Sequence, residues 1–167
     1  MKHYDEVYLV FFKPYKQDMY LTDAMNKKNV IAIEENKSSM KKFAEEGIEK
    51  LKKLKGYNNE PSIIVACREA LQFYKSEADQ VQVMIDFVIK EENFNKIKKA
   101  FDSKPAAKGT QADVDAYNKA VNDFNEAVNN FNKVNKQLNK DRQKALDNWN
   151  STVKKYLDDY MPVQRKA

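Results

Sequence analysis

From Asp113 to Thr152 the apolar positions return at alternating steps of three and four: Val114, Tyr117, Val121, Phe124, Val128, Phe131, Leu138, Ala145 and Trp149. Asn135 and Arg142 stand where the stepping calls for apolar residues. Ala120, Ala127, Val134, Leu146, Val153 and Leu157 widen this seam into the broader face of a bundle helix. Beside it Asn118, Asn122, Asn125, Asn129, Asn132 and Asn139 keep the same stepping, which predicts a solvated asparagine stripe. Burying a large apolar side chain stabilises by about 1.5–3 kcal/mol, against at most about 0.7 kcal/mol lost by Asn relative to Ala, so the seam decides the structure.

A second helix is predicted from Pro61 to Phe101, where Cys67, Leu71, Tyr74, Ala78, Val81, Ile85 and Val88 step by four and three. Pro61 suits its first turn, and Lys96, Lys98 and Lys99 complement the dipole at its end. A looser pattern from Thr22 to Lys55, with Val30, Ile33, Met40, Ala44, Gly47, Leu51 and Leu54 on one face, predicts another helix. Gly56 is expected as its left-handed stop, with Asn58 and Asn59 in the turn. The short links around Gly56 and from 102 to 110 set neighbouring helices antiparallel. Val7 to Phe12 is the most continuous apolar run, and no second strand candidate exists to pair with it. A short helix over residues 1–20, broken near Pro14 and packed on the bundle, is the reading. The fold class expected is therefore all-α: one domain over 1–167, an elongated up-down bundle of three long antiparallel helices plus a short N-terminal helical segment. At about 1.5 Å per residue, the last helix should be about 75 Å long and outrun its partners. That leaves Trp149, Tyr156 and Tyr160 as an exposed interaction surface for a protein partner or a homodimer.

Composition agrees with helices and trims the list of functions. Only 3 Gly and 4 Pro occur in 167 residues, too few for the reversals of a β sandwich or barrel. The net charge of +5 comes from 30 Lys and Arg against 25 Asp and Glu, a mixed surface. Arginine occurs only at Arg68, Arg142 and Arg165, and lysine lacks the planar fork that reads phosphates and base edges, which counts against nucleic acid. The lysine runs at 50–55 and 96–99 read as solvated helix ends. No stretch is long and apolar enough for a membrane span, and the start carries acids unlike a signal peptide, so an exported protein would lack its leader here. Peripheral contact through Val7 to Phe12, or a lipid anchor, stays open.

With one histidine, His3, and one cysteine, Cys67, neither zinc sites of the usual kinds nor Ser-His or Cys-His catalysis has its parts. Glu-x-x-His pairs for a di-iron bundle and a Gly-rich phosphate loop are missing as well. The expectation is no enzyme, no cofactor and no metal. Cys67 falls on a seam and reads as core. Asn135 and Arg142 are sharper: counting back from the 102–110 link places Arg142 beside Glu69, with Tyr74 near. Such polar seam residues fix register or, alternatively, form a small-ligand notch of Arg142, Asn135, Tyr74 and Glu69.

The block from Gly47 to Val88, with its Lys-rich helix end, Gly-Tyr-Asn-Asn turn and Tyr-bearing helix, and the closing Tyr156-x-x-x-Tyr160-Met161-Pro162, resemble a family of uncharacterised surface or lipid-anchored helical-bundle proteins of Gram-negative bacteria. The resemblance covers about the last three quarters of the chain and includes no catalytic motif. It implies a secreted or lipid-anchored bundle in the periplasm or at the cell surface, with the cytoplasm as the alternative. The function expected is a non-catalytic structural or interaction role in the cell envelope, with ligand binding at Arg142 and membrane-surface association as alternatives.

Overall fold

The computed structural model describes residues 2–105 and 108–161. Among them the chain is an all-α helical bundle of four helices: α1 (Lys2–Asn26), α2 (Val30–Leu51), α3 (Ser62–Asp102) and α4 (Gln111–Tyr160). The only β feature among these residues is an isolated bridge between Tyr57 and Glu60. The packing falls into two compact units, Met1–Asp79 with Leu138–Ala167, and Gln80–Gln137.

In the first unit the helices alternate in direction. Glu6 pairs with Lys50 and Lys13 lies over Phe43, so α2 runs antiparallel to α1. Lys75 pairs with Glu45 and Lys41 with Asp79, which sets α3 antiparallel to α2. Asn148 bonds Glu69, and Phe11 stacks on Trp149, so α4 runs antiparallel to both α3 and α1. The result is an up-down-up-down four-helix bundle. Its core includes Val7, Phe11, Ile33, Met40, Leu51, Ile63, Leu71 and Tyr74. Gly47 lets α2 come close to its neighbours: a Cβ there would lie 2.9 Å from both Leu71 Cδ1 and Val10 Cγ1.

The second unit is an antiparallel helix pair held by an aromatic ladder. Phe87, Phe94 and Phe101, seven apart on α3, meet Phe131, Phe124 and Tyr117, seven apart on α4, with centroids 4.6, 5.1 and 4.8 Å apart. Thr110 and Asp113 cap α4 reciprocally, the Thr110 amide donating to the Asp113 carboxylate and the Asp113 amide to Thr110 Oγ1. The hydrogen bonds from Lys104 and Thr110 hold that carboxyl down at about 2. All six asparagines of the predicted stripe are exposed, as the seam argument requires.

The N-terminal region differs from its expectation. α1 is a single 25-residue helix with Pro14 inside it. Proline forgoes one hydrogen bond to the carbonyl four residues back, but Val7, Val10, Phe11, Pro14, Asp18, Leu21 and Ala24 make one continuous buried face, and packing overrides the break. The chain then reverses at 27–29, inside the segment expected to be helical from Thr22. Lys28 takes a left-handed φ of 52°, and Asn29 caps α2 by accepting from the Ala32 amide. Gly56 is not left-handed. Asn58 and Asn59 are, with φ of 50° and 64°. Glycine is required at 56 because a Cβ would lie 2.5 Å from the Glu60 carbonyl oxygen.

Candidate functional site

Three of the four helices of the first unit meet at a buried charged layer. The inward face of α1 carries Asp18 among apolar residues, α3 places Tyr74 and Glu77 one turn apart, and α4 brings Arg142 from its seam. Arg142 donates from Nε and Nη2 to Asp18 at 3.2 and 3.3 Å, from Nη2 to Glu77, and from Nη1 to Asn139 at 2.7 Å. Its guanidinium also lies over the Phe73 ring at 5.6 Å. Glu77 is fully buried and Asp18 nearly so. Tyr74 Oη and Glu77 Oε2 are buried without a hydrogen-bond partner.

One guanidinium faces two carboxyls, so full ionisation would leave a surplus negative charge in the core. Burial, reinforced by repulsion from Asp18 and opposed by Arg142, pushes the Glu77 carboxyl up to about 8. Burial disfavours the charge on Arg142, yet Glu77 and Asp18 hold its pKa above the usual arginine value. Burial, then Asp18 and Glu77, drive the Tyr74 phenol upward as well. The layer therefore sets Arg142 between Asp18 and a Glu77 carboxyl whose burial favours its protonated form. With every nitrogen of its guanidinium engaged, Arg142 ties α1, α3 and α4 into one register and presents no free fork to an outside anion.

Of the notch residues, the structure brings Arg142 and Tyr74 together and separates Glu69. Glu69 instead accepts from Asn148 Nδ2 at 2.6 Å. The index count failed by two turns, because the aromatic ladder centres the α3–α4 hairpin on Gly109 and not on the middle of the 102–110 link. Asn135 is half-buried in the second unit. Asp18 was missed, since a lone acid inside the run of α1 gives no periodic signal.

The expected interaction surface is also corrected. Trp149 and Tyr156 are buried and Tyr160 half-buried. Trp149 stacks on Phe11 with centroids 4.3 Å apart, Tyr156 lies beside His3, and Tyr160 meets Tyr57 edge-on. Trp149 and Tyr156 are core because the first turns of α1, from His3 to Phe11, lie along the end of α4. Cys67 is buried, its thiol 3.7 Å from the Val7 carbonyl oxygen and pushed up to about 12 by burial.

What α1 covers on one side it exposes on the other. Tyr4, Tyr8, Phe12, Tyr15 and Met19 step along one stripe, the rings of Tyr4, Tyr8 and Phe12 stacking at 5.7 and 5.9 Å. Leu9, Lys13, Lys16 and Tyr20 form a second stripe beside it. Leu9 is 58% exposed, Met19 57%, Tyr20 46% and Tyr8 36%. Lys13 lies over the Phe43 ring and Lys16 over Tyr20. Between α1 and α2 lies a groove of about 300 Å³ lined by Val10, Phe43 and Gly47, with Leu9, Lys13, Glu46 and Lys50 also along it. Val7 to Phe12, read from the sequence as too apolar to leave in water, supplies both the inner and the outer face.

The fold and site define an all-α bundle protein with a buried ionic layer and an apolar, lysine-bearing outer helix face. No protein-family model matches the chain, and no curated protein or solved structure matches it. Among the described residues no helix is long and apolar enough to cross a membrane, and no group of three or more His, Cys, Asp or Glu side chains is placed to hold a metal ion.

Proposed function

We propose that this chain is a non-catalytic structural or interaction protein of the cell envelope, and that it engages its partner through the outer face of α1. The observation that supports the reading is the exposure of Leu9, Met19, Tyr20 and Tyr8 on a single helix whose opposite face is core. Isolated exposed apolar residues are ordinary, but adjacent stripes of them mark interaction surfaces. The buried ionic layer serves this role by locking α1 in place, so the face is presented already folded. Placement in the envelope follows from the resemblance carried by residues 47–88. The test is photo-crosslinking in cells from probes at Leu9 and Met19, with Asn125 on the exposed asparagine stripe as control. Adducts from the two α1 positions and none from Asn125 are expected; silence at Leu9 and Met19 contradicts the reading.

A further inference from the structure

We propose that the partner at this face is an anionic lipid surface, on which α1 lies flat. The inference rests on the interaction reading above and names its partner. An interfacial helix sets apolar side chains a few ångströms into the headgroup boundary and lets lysines reach the headgroups from its flanks. The outer face of α1 has this arrangement. Leu9, Met19 and Tyr20 are exposed, while Lys13 and Lys16 hold their ammonium groups 5.7 and 5.5 Å over the Phe43 and Tyr20 rings and form no ion pair among the described residues. Of the acids of α1, Asp18 is internal, Glu6 is paired with Lys50 and Asp23 with Lys27, which offsets their charge at the surface, and Asp5 stands at the helix start.

Lys13 and Lys16 give this face two ammonium groups that an anionic surface attracts. The helix is already ordered by the core, so docking carries no cost of folding, unlike a peptide that becomes helical only at the interface.

The experiment is flotation of the full chain with phosphatidylcholine vesicles, with and without added phosphatidylglycerol, at low and high salt. The wild-type chain is expected to bind the mixed vesicles at least about tenfold more tightly than the neutral ones, and less tightly in high salt. Leu9→Glu with Met19→Glu, and separately Lys13→Glu with Lys16→Glu, should each weaken binding at least about tenfold. Asn125→Glu should leave it unchanged. All four α1 positions are exposed, and far-ultraviolet circular dichroism confirms that each variant remains folded. No flotation of the folded wild type, or flotation that neither double variant weakens, overturns the lipid assignment. If the Leu9 and Met19 crosslinks still form, the face keeps its interaction role with a protein partner; if they are absent too, both readings fall.

Discussion

Replacing Glu77 by Gln tests the charged layer through its dependence on pH. Glutamine has the shape of the protonated acid and cannot ionise. Glu77 titrates near 4.5 when exposed and at about 8 in the fold, where burial and Asp18 disfavour its charge. An acid with a raised folded pKa holds its proton more tightly in the native state. Its contribution is fully present below the ordinary carboxylate value and is lost as pH rises through about 8. Three to four pH units at about 1.4 kcal/mol each set an upper bound of about 5 kcal/mol on that loss. Urea unfolding of wild type and Glu77→Gln, followed by circular dichroism at about pH 5 and about pH 9, reads the difference directly. The two should agree within about 1 kcal/mol at the lower pH, and the variant should be more stable by at least about 2 kcal/mol at the higher. A difference independent of pH, or a wild type that gains on the variant as pH rises, would show that Glu77 is ionised throughout and refute the assignment of its proton.

Three further outcomes follow from the packing. Gly47→Val should lower stability by about 1–3 kcal/mol in thermal melts, because its branched side chain meets Val10 and Leu71, whereas Gly47→Ala should change it by less than about 1 kcal/mol as helix propensity offsets the crowding. Cys67 should resist thiol reagents in the native protein and react at once in urea, its thiol being both buried and held protonated; rapid native labelling would contradict its placement. Asn125→Ala with Asn129→Ala should raise stability by up to about 0.7 kcal/mol per site, since both are exposed and only propensity changes, and a loss on denaturant titration would mean the stripe packs against something.

Where the seam was strictly periodic, on α3 and α4, the sequence predicted the helices and the solvated asparagines. Such a pattern leaves one arrangement that buries Leu71, Tyr74 and Leu138 together. The first fifty residues were harder for identifiable reasons. On α1, Tyr8, Leu9 and Phe12 are apolar on the outward side, which blurs the amphipathic contrast that would have betrayed the helix. Pro14 suggested a break that burial overrides. The turn at 27–29 has neither Gly nor Pro, and its one local signal was Asn29 standing before the apolar Val30 and Ile31. The ionic layer was half legible: Arg142 announced itself as a misfit on a seam. Its partners did not, because they depend on where the hairpin pivots and on a helix, α1, whose length was not apparent. Trp149 was expected as a docking residue because nothing in the pattern showed that the first turns of α1 pack along the end of α4.

Trp149 is also the chain's one tryptophan, so it reports on that core without any label. If α1 lies along α4 as a full bundle helix, with Phe11 stacked on the indole, fluorescence at dilutions where the chain is a monomer should be blue-shifted and poorly quenched by acrylamide. Emission and quenching typical of an indole in water, shielded only as concentration rises and chains associate, would contradict the packing of α1 and with it the outward face on which the functional reading stands.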